Sequence, residues 1–170
     1  PVNGIIFLED HVFVNGLIDG VRVNVIAASL PEDPLNRKNI IVNSDLRYTS
    51  DDGSDVIGLI AQGNMNVGMV SQDILRIDAA IIAQNGRVGR HYYRAPGGAP
   101  FSLRCSPYHA RNTLTLWGMI ATNQRYGFAY TDGTGYTTRN IMYDGNLLYE
   151  PPPSFPLTSD QYTPLSWEEN

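Results

Sequence analysis

A short phrase recurs four times along the chain, as Gly16-Leu17-Ile18-Asp19-Gly20, Gly58-Leu59-Ile60-Ala61-Gln62-Gly63, Ala80-Ile81-Ile82-Ala83-Gln84-Asn85-Gly86 and Gly118-Met119-Ile120-Ala121-Thr122-Asn123. Each copy follows a short alternating run: Val12-Phe13-Val14, Asp55-Val56-Ile57, Leu75-Arg76-Ile77-Asp78 and Leu114-Thr115-Leu116-Trp117. The unit is therefore a strand, a small residue, an apolar pair and a polar turn. One such unit cannot bury its own apolar row, whereas stacked copies can.

The central isoleucines, Ile18, Ile60, Ile82 and Ile120, are separated by 42, 22 and 38 residues. The shortest interval fits one turn of a solenoid, and the longer ones contain extra rungs or loops. Val21-Arg22-Val23-Asn24-Val25-Ile26 and Ile40-Ile41-Val42-Asn43-Ser44-Asp45-Leu46 alternate as such rungs would. Pro31-Glu32-Asp33-Pro34, Asp51-Asp52-Gly53-Ser54-Asp55, Ala95-Pro96-Gly97-Gly98-Ala99-Pro100 and Thr131-Asp132-Gly133-Thr134-Gly135 mark the turns between rungs. Asparagines beside glycines suit solenoid corners, because asparagine tolerates left-handed backbone and bonds its own main chain.

The expected fold is a single all-β domain over 1–170, a parallel β-solenoid (β-helix) with irregular loop insertions. Rungs and loops occupy 1–145, and 146–170 form an extended proline-rich strap. The strap is read from Pro151-Pro152-Pro153-Ser154-Phe155-Pro156, which cannot donate to a ladder and runs extended. Tyr162, Leu165 and Trp167 add apolar bulk suited to covering an open end or flank. A hydrophobic content of 42% over 170 residues supports a core without metals or disulfides.

A net charge of −5 argues against a nucleic-acid partner, which needs a basic face for its phosphates. No run approaches the roughly 20 apolar residues of a membrane-spanning helix. The chain begins at Pro1 and enters strand-like sequence at Gly4-Ile5-Ile6-Phe7-Leu8, so removal of an N-terminal anchor or export segment is expected. The single cysteine, Cys105, leaves the redox compartment open.

Five of the twelve basic residues, Arg87, Arg90, Arg94, Arg104 and Arg111, fall in one stretch with His91, Tyr92, Tyr93, Tyr108 and His109. Guanidinium groups beside aromatic faces suit anionic or hydroxylated ligands. Arg87, Arg90, His91, Tyr92, Tyr93, Arg94 and Tyr108 are the expected contact residues, with glycans or other surface proteins as partners. Internal pairing with the chain's own acidic groups is the competing expectation.

Catalytic signals are weak. Cys105 and His109 are separated by Ser106-Pro107, which breaks any helix that would align a thiolate with an imidazole. Asp45, Asp73, Asp78 and Asp144 are the carboxylates available for polysaccharide cleavage, with Asp78 expected to point outward, yet nothing pairs two of them at catalytic separation. The histidines lack metal spacing, and Asp51, Asp52 and Asp55 lack a full calcium-loop signature. No catalytic residue, cofactor or metal is expected.

Gly4-Ile5-Ile6-Phe7-Leu8-Glu9-Asp10-His11-Val12, the Ile57–Ala61 and Asp78–Gly86 segments, and the ending from Tyr143-Asp144 through Pro151–Pro156 to Leu165-Ser166-Trp167-Glu168-Glu169 carry a family likeness. They resemble the soluble solenoid region that follows a pilin-like N-terminal membrane helix in bacterial surface proteins related to type IV pilus assembly. That helix is absent here. The resemblance implies export, exposure on the bacterial cell surface and a structural or adhesive role without catalysis. A weaker resemblance links the chain to bactofilin-like solenoids, which stack end to end. Those lack a proline strap, and a strap across the end would block stacking, so a monomeric or pilus-attached module is expected. The alternative is a polysaccharide-binding or polysaccharide-processing β-helix protein.

Overall fold

The computed structural model describes residues 2–94 and 105–156. Twelve strands make up nearly all of the regular structure: β1 (Ile5–Leu8), β2 (Val12–Phe13), β3 (Gly16–Ile18), β4 (Arg22–Ala27), β5 (Ile40–Val42), β6 (Leu46–Tyr48), β7 (Val56–Ala61), β8 (Met65–Val67), β9 (Ile74–Ala83), β10 (Val88–Arg90), β11 (Ala110–Thr122) and β12 (Gly135–Tyr143). A 3-10 turn, Gly145–Leu148, follows them. Every strand pairing is parallel, so neighbours in space come from different passes of the chain, as the repeated phrase requires.

Three ladders run through the molecule. The first carries β1, β4, β7 and the second halves of β9 and β11, in the column Ile6, Val25, Leu59, Ile81 and Ile120. The second carries β2, β5, β8 and β10, and ends on a bridge from Gly89 to Gly127. The third carries β3, β6, the first halves of β9 and β11, and β12, in the column Gly16, Leu46, Ile77, Leu116 and Ile141. Each ladder is five positions deep.

Side chains alternate along each strand, so every second column faces one common core. Val25, Leu59 and Ile81 meet Ile40, Met65 and Val88 of the second ladder and Leu46, Ile77 and Leu116 of the third in that core. The rung read from alternation at 21–26 is strand β4, whereas the one read at 40–46 divides into β5 in the second ladder, a corner at 43–45 and the first residue of β6 in the third. The equivalence of the four isoleucines is corrected: Ile60 does pair with Ile82, but Ile120 pairs with Ile81, and Ile18 lies in the third ladder opposite Tyr48. The apolar pair also divides, Leu59 and Ile81 entering the core while Ile60 and Ile82 alternate to the opposite face.

β9 and β11 each run through two ladders, and the bend in β11 falls at Gly118. Its φ of +143° is hard for an L side chain, and a Cβ there would collide with the Ala79 carbonyl on the neighbouring strand.

The C-terminal segment crosses the outer flank of the first ladder rather than its end. Leu147 packs on Val56 and Ala80, with Met119 and Phe155 beside them. The Arg22 guanidinium donates to the Pro151 carbonyl at 2.7 Å and meets Glu150 at 3.3 Å, and the Asn24 amide donates to the Pro153 carbonyl. Residues 157–170, where the strap was expected to continue, lie outside the described residues.

Candidate functional site

The stretch from Arg87 to Arg111 divides into an inner and an outer set. Arg90 ends β10 in the column that Val42 and Val67 occupy below it, and its side chain is 0% exposed. Its guanidinium donates to Ser71 Oγ at 2.7 Å, the Met69 carbonyl at 3.0 Å and the Tyr108 carbonyl at 2.5 Å, and also to the Gly68 carbonyl. The Tyr93 ring lies 4.7 Å from it and the Tyr136 ring 5.6 Å. Burial pushes the Arg90 pKa down while those rings oppose the shift. No carboxylate pairs with it among the described residues. Carbonyl dipoles and π-faces therefore hold this cation in the core.

Tyr93 and Tyr136 belong to the same inner set, their phenol pKa values raised by burial. The Tyr136 hydroxyl donates to the Gln72 carbonyl at 2.6 Å and meets Ser71 Oγ at 2.9 Å. Arg111 lies 4.7 Å over the Tyr108 ring. These residues tie β10 and the loop after it to the turn after β8, the turn before β11 and the start of β12.

The outer set is smaller. His91, Tyr92 and Arg94 are exposed, and partial burial together with Arg87 holds the His91 imidazole below its ordinary value. The Tyr92 hydroxyl donates to Asp132 Oδ2 at 2.7 Å, and its ring meets Tyr130 edge-on at 5.0 Å. The expected contact residue Arg90 is thus a buried core residue, and Arg104 lies outside the described residues.

Arg87 connects this region to an open cleft. Its Nη2 donates to the Arg90 carbonyl at 2.7 Å and meets the Tyr130 hydroxyl at 3.2 Å. Beyond Tyr130, Arg87, Arg125, Tyr126, Thr131 and Arg139 surround a cleft of about 590 Å³. Arg139 is steadied by the Tyr136 and Thr137 carbonyls at 2.6 and 3.0 Å. Among the described residues, no carboxylate lies within 4.0 Å of any of the three guanidiniums. Three guanidiniums with no carboxylate partner among the described residues, beside two phenols, can bind carboxylate, sulfate or phosphate by charge-assisted hydrogen bonds.

Sequence reasoning missed Arg125, Tyr126, Tyr130 and Arg139. Arg125-Tyr126 followed by Tyr130 repeats the arginine and tyrosine interleaving of 87–111, and that was the available signal.

The acidic candidates serve the backbone. Asp78, expected to point outward, is fully buried, accepting from Arg76 Nε at 2.7 Å and from the Tyr48 amide at 3.1 Å. Asp45 accepts from the Arg76 amide, Asp73 from the Asn112 amide and Asp144 from the Asn146 amide. Asp55 accepts from the Thr49 and Ser50 amides, both at 2.9 Å, and from Thr49 Oγ1 at 2.6 Å. Hydrogen bonds from Ser54 hold Asp52 down at about 2. Among the described residues, no three His, Cys, Asp or Glu side chains converge as metal ligands, and no helix is long and apolar enough to cross a membrane.

No protein-family model, curated protein or solved structure matches the chain.

Proposed function

We propose that this chain is a structural and adhesive module without catalytic activity, built as a closed parallel β-solenoid. Its contact surface is the arginine and tyrosine cleft at the C-terminal end of the ladders, continued by Tyr92 and Arg94. The observation that carries this reading is the cluster of Arg87, Arg125 and Arg139 around an open cleft, with no carboxylate partner among the described residues, in a chain whose net charge is −5. Such a chain repels polyanions overall, so a local arginine cluster supplies attraction at one place. The five-deep parallel ladders and their shared core support closure into a solenoid. The resemblance of the 4–12, 57–61 and 78–86 segments to pilus-related surface proteins supports a bacterial cell-surface setting, with surface proteins or glycans as partners.

A polyuronate is the glycan this cleft would take, since its carboxylates match the guanidiniums and its ring faces match Tyr126 and Tyr130. Calorimetric titration with oligogalacturonate should show binding that weakens with salt. Arg125→Glu combined with Arg139→Glu should lower the affinity at least tenfold, and a neutral glucan should not bind. Equal binding by the double variant, or equal binding of the neutral glucan, would overturn the assignment of the cleft.

A further inference from the structure

The two ends of the ladders are complementary in register, corner length, shape and charge. At the N-terminal end, β1, β2 and β3 each have a strand neighbour on one side only among the described residues. At the other end, residues 119–122 of β11 lie beyond the pairing with β12, which stops at Gly118 opposite Tyr143. The outer edge of β12 is likewise unpaired among the described residues. Four unpaired residues of β11 thus match the four of β1, and 141–143 match the three residues of β3.

Among the described residues, nothing covers the core at either end. Ile6 and Leu8 continue the inward columns of Val25 and Ala27, yet each is 38% exposed. Ile141 continues the buried column of Ile77 and Leu116 and is 43% exposed. Gly118, Met119, Ile120, Thr122, Tyr126, Ile141, Met142 and Tyr143 line a cavity of about 510 Å³ beside the free edge of β11. Strand edges of this kind, with apolar side chains and unpaired amides, are templates for a further strand.

The corners between the first and second ladders decide which strand fits. Leu8 is joined to Val12 by Glu9-Asp10-His11, and Thr122 is joined to Tyr126 by Asn123-Gln124-Arg125. Both corners have three residues, so β1 laid on 119–122 brings Val12 over Tyr126 and Phe13 over Gly127 without a shift. The same placement sets the acidic Glu9-Asp10 corner beside Arg125, at the mouth of the arginine cleft. Like ends placed together would oppose acid to acid or arginine to arginine.

We infer that the occupant of the C-terminal end is the N-terminal end of a second copy of this chain, stacked head to tail so that all three ladders continue. This rests on the reading of the arginine cleft as a contact surface and names its partner. Residues 145–155, the described part of the strap, do not obstruct it, because they run along the flank. A heterologous contact of this sort does not close on itself, so it generates rods. With five ladder positions per copy and a strand spacing of about 4.8 Å, the axial repeat is about 24 Å.

Sedimentation velocity on the full chain should show a mass that rises with concentration, and electron micrographs should show rods with that repeat. Asp10→Arg alone and Arg125→Asp alone should each raise the concentration for assembly at least tenfold, and the double variant should recover most of the loss. Both positions are exposed, so unchanged circular dichroism melts will establish that the variants fold. A double variant no better than the singles, or a wild-type chain that stays monomeric at millimolar concentration, would overturn the inference. Hydrogen exchange that finds the amides of 119–122 protected in such a monomer would assign the edge to this chain's own residues instead. Oligogalacturonate binding without assembly overturns the stacking and leaves the cleft reading intact; absence of both overturns both.

Discussion

The Arg90 guanidinium lies 4.7 Å from the centre of the Tyr93 ring, in the core column that Val42 and Val67 fill below it. The chain has placed a cation where an aliphatic side chain would continue the ladder, and has surrounded it with carbonyls from the turns at Gly68, Met69 and Tyr108. Arg90→Ala leaves those acceptors unpaired and opens a void, so it should cost roughly 3 kcal/mol or more of unfolding free energy. Arg90→Lys should recover only part of this, because an ammonium cannot reach four acceptors in the planar arrangement of a guanidinium. Urea denaturation of the three proteins checks the order.

Gly118 and Gly20 both have positive φ, but only Gly118 is crowded. Gly118→Ala must move the Ala79 carbonyl or abandon the bend in β11, and should abolish the cooperative unfolding transition or lower its midpoint severely. Gly20→Ala, with open space around it, should cost only about 1 kcal/mol. Thermal melts of the two variants separate the steric clash from the backbone preference.

β4 and β5 were legible because 21–26 and 40–46 alternate in sequence, but the break at 43–45 that turns the chain into β6 was not. The shared phrase did not reveal register, since Ile18 belongs to a different ladder from Ile60 and Ile120 is one residue out of step. A one-residue slip reverses which side chain enters the core, and local sequence carries no record of the partner strand. Arg90 read as part of an exposed loop for the same reason: its acceptors come from turns about twenty residues away in the chain. The cleft draws together Arg87 from the corner before β10, Arg125 from the corner after β11 and Arg139 from β12, and the strand pairing makes these segments neighbours.

Asp55 is 1% exposed, and burial raises its pKa, but the hydrogen bonds from Thr49 and Ser50 win and hold it below the ordinary carboxylate value. A group depressed in the folded state contributes stability above its unfolded pKa, near 3.9, and loses it as pH falls through the folded value. Asp55→Asn should therefore destabilise the protein at pH 7 and flatten the loss of stability below about pH 4. Denaturant midpoints measured from pH 7 down to pH 2 check both parts.

Leu147 and Leu148 sit side by side in the 3-10 turn, yet Leu147 is 7% exposed and Leu148 68% exposed. Leu147→Ala should cost about 2–3 kcal/mol by detaching the segment from Val56 and Ala80. Leu148→Ala should stay within about 0.5 kcal/mol of wild type. Equal effects from the two would contradict the packing of this segment on the first ladder.

The contact surface is tested most directly by following the side-chain NεH resonances of the arginines by NMR as oligogalacturonate is added. Arg87, Arg125 and Arg139 should shift together along one saturation curve, while Arg90, enclosed in the core, and Arg22, paired with Glu150, stay in place. Shifts confined to Arg22 or Arg37, or no shift at any arginine, would contradict the assignment of the cleft.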